Sequence, residues 1–293
     1  MYKFLCVVWL LLLGMSSTGV VAKTNLKIVT CNVRWDSGKD GAHNWVYRRG
    51  YLVEYINRLK ADIVCMQEVM NNQHEYFTET MPRYGFVGVG CRDGKRSGEF
   101  ESIFYNKKKF KLIDHGHFWL SETPNSVGSL GWGAKHPHMV TWIKLRTSNN
   151  KSFCVLNTHF DWDSNTVRKK SAQLVLKWIE ENLDKTPIIL AGDFNNDPES
   201  ETYKTITKSG IVNDSYTIAS KREGVGYSFH DFGRLPDNKR KIIDYIFVSN
   251  DIVVKKVEIV KEKLIGGCYL SDHNPVIAYM SFLNEYVVNC SLL

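Results

Sequence analysis

Five apolar runs in this chain adjoin side chains able to bind ions or move protons. Asn32 follows "KIVTC", Glu68 follows "DIVCMQ", Asn157 and His159 follow "SFCVL", Asp193 and Asn195 follow "PIILAG", and Asp272 and His273 precede "PVIAYM". A single strand ending in Gly, Asp or Asn is ordinary turn chemistry. Five repetitions point instead to strand ends converging on one polar site, because a rigid strand holds a carboxylate or an amide where a reacting group will sit. Carboxylate and amide oxygens suit Mg²⁺, Mn²⁺ or Ca²⁺. Imidazoles beside such an ion can bind a phosphoryl oxygen or carry a proton, and an amide can donate to a nonbridging oxygen. The set describes hydrolysis of a phosphate ester by a metal-assisted water. No Gly-x-Ser-x-Gly nucleophile elbow and no P-loop-type glycine loop offers a rival chemistry.

The elements that must position these groups are short β-rich runs alternating with amphipathic segments. Strands are expected at 26–33, 62–69, 86–90, 99–106, 139–145, 152–159, 187–194, 244–249, 253–260 and 276–280. Leu52, Val53, Ile56 and Leu59 follow helical spacing, as do Leu174, Val175, Trp178 and Ile179. So many strands exceed one small sheet, and two stacked sheets with helices outside would bury every run.

At the N-terminus, Lys3 precedes an apolar run at 4–13, and small and polar residues then lead to Val20-Val21-Ala22. The run is too short to span a bilayer and has the build of a secretory signal peptide, residues 1–22. No later segment is long and apolar enough to cross a membrane. The expected product is a soluble, secreted or periplasmic protein starting at Lys23. No linker or repeat divides 23–293, which reads as one domain. The formal charge of +7 suits an anionic substrate without identifying it. The runs Lys107-Lys108-Lys109, Arg168-Lys169-Lys170 and Lys239-Arg240-Lys241 read as solvated turns and helix faces. Beyond Cys6, the cysteines Cys31, Cys65 and Cys154 sit inside apolar runs as small buried hydrophobes, so no disulfide framework is expected. Cys91 and Cys268 lie in loops and Cys290 near the C-terminus. No Cys-x-x-Cys or His-x-x-x-His spacing suggests zinc.

"CNVRWD", "ADIVCMQEV", "LNTHFDW", "ILAGDFN", "IDYIFVS" and "SDHNPV" occur in the order and approximate spacing of the endonuclease/exonuclease/phosphatase superfamily. With "GEFESIFY", "FWLSETP" and "YSFHDF", the chain resembles the exported bacterial branch of that superfamily over nearly all of 23–293. The resemblance implies an α+β fold of the DNase I-like type, a four-layer α/β/β/α sandwich of two mixed sheets flanked by helices. It implies a divalent cation, Mg²⁺ with Mn²⁺ or Ca²⁺ as substitutes, held by Glu68 with Asn32 beside it and by Asp272. By the same resemblance Asp193 activates the attacking water and Asn195 binds the phosphate. Asp272 and His273 form a coupled pair, with Asp244 as the buried acid near that histidine. His159 holds a phosphate oxygen or protonates the leaving group, and Glu99 is its expected partner, with Glu101 two residues on as the other candidate on the same strand face.

Two positions depart from the pattern: His138 stands where an arginine is expected, and an acid expected near Gly133 is missing. Trp35, Trp45, Trp132, Trp162 and His230 are candidates to line a substrate cleft. The superfamily spans nucleic acid, lipid head group, nucleotide and sugar phosphate substrates, so the resemblance implies a phosphate-ester hydrolase without choosing among them, and a monomer is expected. The alternative from another class is a protein that captures a phosphorylated ligand or nucleic acid on the same fold without turnover.

Overall fold

The structure, a computed structural model, describes residues 25–261 and 269–283. The expected signal peptide and Cys268 and Cys290 lie outside these residues. The described elements are β1 (Asn25–Asn32), α1 (Trp45–Leu59), β2 (Ile63–Val69), α2 (Asn71–Thr80), β3 (Tyr84–Val87), β4 (Phe100–Asn106), β5 (Phe110–Trp119), β6 (Met139–Thr147) and β7 (Ser152–His159). They continue as α3 (Asn165–Asn182), β8 (Ile188–Asp193), α4 (Glu201–Thr207), β9 (Asn213–Asp214), α5 (Ser215–Ile218), β10 (Lys221–Gly224), β11 (Asp244–Val248), β12 (Ile252–Ile259) and β13 (Val276–Phe282). Every strand expected from sequence overlaps one of these. β5, β9 and β10 were not expected. β5 is an edge strand whose Lys111, Asp114 and His115 are exposed and whose pairing with β6 shifts between Leu112 and Asp114, so it lacks a clean alternation.

The strands form a seven-stranded sheet, β10-β12-β13-β1-β2-β4-β3, and a six-stranded sheet, β5-β6-β7-β8-β11-β9. Both are mixed: β1 runs parallel to β2 and β7 parallel to β8, among antiparallel neighbours. Because side chains alternate along a strand, each central strand buries both faces. Ile28, Ile63, Cys65 and Ile103 of the first sheet pack face to face with Ile143, Val155, Ile189 and Ile246 of the second. On the outer face of the first sheet, Val29, Val64 and Met66 meet Leu52 and Ile56 of α1 and Phe77 of α2. On the outer face of the second, Leu156 and Leu190 meet Val175 and Ile179 of α3. The layers are α/β/β/α, as the resemblance implies.

The inner core becomes polar toward one end. Continuing the inward-facing series past the apolar residues gives Asn32 on β1, Gln67 on β2, Glu101 on β4, Asn157 and His159 on β7, Asp193 on β8 and Asp244 on β11. Gln67 Nε2 donates to Asn157 Oδ1 at 2.6 Å and to Thr30 Oγ1 at 3.0 Å, and Asn157 Nδ2 donates to the Met66 carbonyl at 2.8 Å and the Ser102 carbonyl at 3.0 Å. Asn157 is therefore a bridge between the sheets and not a member of the reacting set. Gly192 is required by the sheet itself: at φ 153°, a Cβ would strike the Thr158 carbonyl of β7.

Among the described residues all four cysteines, Cys31, Cys65, Cys91 and Cys154, are free and buried. Burial pushes the thiols of Cys31, Cys91 and Cys154 up to about 12. Thiolates are the reactive form, so iodoacetamide should leave these four unlabelled in the folded protein and label them in denaturant, as read by peptide mass spectrometry. No helix among the described residues is long and apolar enough to cross a membrane.

Candidate active site

Strand register brings three of the expected residues into one row. His159 pairs with Asp193 across β7 and β8, and Asp193 pairs with Asp244 across β8 and β11. The neighbouring sheet supplies the opposite wall. There Asn32 ends β1, and an irregularity in the β2–β4 pairing between Met66 and Val69 turns Glu68 away from strict alternation. Glu68 takes φ 59°, and Arg34, Asn195 and Asp231 around the same cleft also have positive φ. Such a backbone is uncommon for non-glycine residues and is held only where the surroundings over-determine it.

Asp193 is the centre of the arrangement. Its Oδ2 accepts from Asn32 Nδ2 at 3.0 Å and lies 3.6 Å from His159 Nε2 and 3.7 Å from His273 Nε2, while Oδ1 accepts from the Asn195 backbone N–H at 2.9 Å. Burial, then the nearby Asp244 carboxylate, pushes its carboxyl above the ordinary range. His273 Nδ1 contacts Asp244 Oδ2 at 2.8 Å. Burial alone would lower this imidazole, but Asp244 and Asp193 outweigh it and hold it up to about 10. Ser228 Oγ accepts from the backbone N–H groups of Ile243 and Asp244 at 2.9 and 3.0 Å, which fixes the start of β11. Asn195 Nδ2 is 2.9 Å from the Phe160 carbonyl, to which it donates, and 3.0 Å from His159 Nε2.

Glu68 Oε1 accepts from Asn32 Nδ2 at 2.9 Å and Oε2 from the Trp35 backbone N–H at 3.0 Å. Asn32 turns its oxygen to the Arg34 backbone N–H at 2.9 Å. In this arrangement Asn32 is a strut joining the Glu68 and Asp193 carboxylates, and its oxygen faces neither. Arg34 spans the same wall, 4.0 Å from Glu68 and 3.8 Å from Asp272. Ser271 Oγ donates to the Asn32 carbonyl at 2.7 Å and so ties Asp272 to β1. Burial, then Glu99 and Asp272, raises the Glu68 carboxyl. A divalent cation fits this wall by its donor chemistry: the Glu68 and Asp272 carboxylates line one cleft, and the charge of Asp272 helps raise the Glu68 carboxyl, a repulsion that a cation would relieve beyond what Arg34 already offsets.

The cleft encloses about 900 Å³. Trp35 and Trp162 line it, Trp162 being 62% exposed, whereas Trp45 is buried at the start of α1, His230 is buried in its loop, and Trp132 lies away from the lining. Phe229 and Arg92 also line the cleft and carried no signal in the sequence beyond their residue type. Glu99 is the acid nearest His159, with Oε2 3.6 Å from Nδ1, too long for a hydrogen bond. Glu101 points inward beneath it and is 2% exposed. His138, where an arginine is expected, faces Asp161 at 3.5 Å, and its ring lies 5.8 Å from that of His159.

Arg48 is the main positioning residue that sequence reasoning missed. Buried on α1, it donates to the carbonyls of His43, Arg34 and Leu270 at 2.8–2.9 Å, and also to that of Val33. It thereby fastens the loop after β1 to the loop that carries Asp272. An arginine on an amphipathic helix gives no sequence signal of burial.

Residues 29–273 match the Endonuclease/Exonuclease/phosphatase family. The crystal structure of an endonuclease/exonuclease/phosphatase protein from Bacteroides vulgatus is 38% identical, with a TM-score of 0.86, covering 89% of this chain and all of that one. The mannosyl-6-phosphatase of Bacteroides thetaiotaomicron is 31% identical, with a TM-score of 0.82, over 88% of this chain and all of that one. An uncharacterized protein of Acanthamoeba polyphaga mimivirus is 28% identical over 80% of this chain and 91% of its own length. With the family matched across nearly every described strand and the site assembled from the strand ends that carry its motifs, this chain belongs to the endonuclease/exonuclease/phosphatase family.

Proposed function

We propose that the protein is an exported, divalent-metal-dependent hydrolase of phosphate esters, acting as a monomer through an activated water. The observation that carries this reading is the Asp193 carboxylate, which has an imidazole on either side at 3.6 and 3.7 Å in an open cleft. A carboxyl raised above its ordinary range is suited to accept a proton near neutral pH. His159 and His273, flanked by the acids Glu99 and Asp244, present Nε2 where phosphate oxygens would sit. Protonation of His159 would release the Asn195 N–H now facing it, making that N–H a donor to the phosphate in the transition state.

Glu68 and Asp272, braced by Asn32 and Ser271, would hold Mg²⁺, with Mn²⁺ or Ca²⁺ as substitutes. The ion supplies charge that stabilises a nonbridging phosphate oxygen. Export is supported by the apolar run at 4–13 and the small residues up to Ala22.

Among nucleic acid, lipid head group, nucleotide and sugar phosphate, the likeness to a mannosyl-6-phosphatase over that chain's full length puts a sugar phosphate first. Trp35 and Trp162 offer flat faces for a sugar ring. The test is turnover of purified protein on a panel of these esters in Mg²⁺, after chelation and after metal is restored. Highest turnover on a hexose 6-phosphate, lost in chelator and restored by Mg²⁺, is expected. Binding of every ester without hydrolysis would support the capture protein instead.

Glu68→Gln replaces a charged ligand by a neutral one of the same shape. The metal concentration for half-maximal activity should rise on the order of tenfold or more, with partial rescue by excess metal. The melting temperature should change little. Unchanged metal dependence would remove Glu68 from the site.

A further inference from the structure

The loop between β10 and β11 brings into the cleft a carboxylate that neither the cation nor the reacting water needs. Phe229 and Asp231 both line the cleft. The Phe229 ring leans on the His273 imidazole, with centroids 4.8 Å apart. The backbone N–H groups of His230 and Asp231 donate to the Asp272 carbonyl at 3.1 and 3.2 Å. His230 Nδ1 accepts from the Gly233 N–H at 3.0 Å, and the Phe232 ring stacks on His43 at 4.5 Å, nearly parallel. Asp231 is thus clamped by His230 before it and Phe232 after it, and the loop presents its carboxylate in one place.

That carboxylate is 33% exposed. Arg234 donates to its Oδ1, and no bond to Oδ2 occurs among the described residues. A negative group beside a phosphate repels it, so in this cleft it must serve a part of the substrate that is not phosphate. A carboxylate oxygen only accepts, and a hydroxyl is the group that donates to it. The position also carries a backbone cost, because Asp231 and Phe232 take φ 50° and 51°, and such angles are kept where function requires them.

We propose that Asp231 is a specificity-determining residue, accepting a hydrogen bond from a hydroxyl of the sugar whose phosphate enters the site. Resting on the phosphate-ester reading, this role narrows the substrate class to esters whose remainder is uncharged and rich in hydroxyls. The carboxylate disfavours a remainder that carries further phosphates, as in a nucleic acid. A site built to bond a hydroxyl rejects the analogue that lacks it, because its acceptor is left unpaired.

The probes are mannose 6-phosphate and phenyl phosphate, which share the phosphate monoester and differ in their hydroxyls. In Asp231→Gly, the ratio of kcat/KM for mannose 6-phosphate to that for phenyl phosphate should fall at least roughly fivefold, as for one lost hydrogen bond to a charged group. A residue that only shapes the loop would slow both esters alike. A ratio that falls less than this, or rises, would overturn the proposal. Circular dichroism checks that the glycine variant folds. If it does not, Asp231→Asn, of the same shape and tolerant of the same φ, should lower the ratio at least roughly twofold, and a smaller fall would overturn it equally. Absence of turnover on both esters in Mg²⁺ would refute the hydrolytic reading alone. The ratio of dissociation constants, measured by calorimetry and held to the same criterion, then decides the role of Asp231. A wild type that neither hydrolyses nor binds mannose 6-phosphate would overturn it too.

Discussion

Asp193→Asn lowers kcat by about 10²–10⁴-fold, the usual contribution of a general base, while the protein still folds. Asparagine keeps the shape of the side chain and can still accept the Asn195 backbone N–H that now bonds Oδ1. It loses the negative charge that favours a developing hydroxide and that lies between two imidazoles. Folding should survive because β8 is anchored by Ile189, Leu190 and Ala191, all fully buried, and because a neutral residue relieves the repulsion with Asp244. A strand-end turn residue with no catalytic role would behave in the opposite way, with altered stability and normal turnover per folded molecule. Melting temperature and kcat measured on the same preparation separate the two. An Asp193→Asn protein with wild-type kcat would exclude the residue from the reaction.

Asn195→Ala should lower kcat by roughly 10²-fold, since one transition-state hydrogen-bond donor is often worth about 3 kcal/mol. The backbone complicates this variant. Asn195 sits at φ 50°, where asparagine is tolerated and alanine is strained by roughly 1–2 kcal/mol. The lost bond to the Phe160 carbonyl adds to the destabilisation. Asn195→Gly accepts the same φ without strain but removes the same amide. The kcat loss shared by the alanine and glycine variants measures the amide, and the additional fall in melting temperature of the alanine variant measures the backbone. If the glycine variant turns over normally, the amide does not act on the phosphate.

The parts of the site legible in the sequence were those that a strand delivers directly. Asp193, His159 and Asp244 each close or open an apolar run, and alternation carries them inward with the core residues that precede or follow them. Glu68 was legible as a strand-end acid, but its re-aiming was not, because a local irregularity in pairing leaves no compositional mark. Glu99 and Glu101 were both visible, yet their separation into one cleft-lining and one sealed carboxyl depends on where β4 begins. Arg48 and the Gln67–Asn157 pair were illegible as struts. Arg48 donates to main-chain carbonyls, which have no residue type to read, and Asn157, legible alone as a strand-end amide, meets a Gln67 that lies 90 residues away. β5 was missed because an edge strand exposes much of its length and has little pattern to keep.

The Gln67–Asn157 amide contact has a consequence for how the enzyme is kept in working order. Glu68 and the Asp272–His273 loop belong to one half of the sandwich, and His159, Asp193 and Asp244 to the other, so the reactive centre exists only as a seam between two plates. Greasy side chains hold plates together but tolerate sliding, whereas a pair of buried amides meets its bonding geometry at one offset alone. The contact therefore acts as an alignment pin. A slip of an ångström, invisible to secondary structure and cheap in burial, would separate the His273 imidazole from Asp244 and Asp193 together, so losing the alignment should lower turnover even with both plates intact.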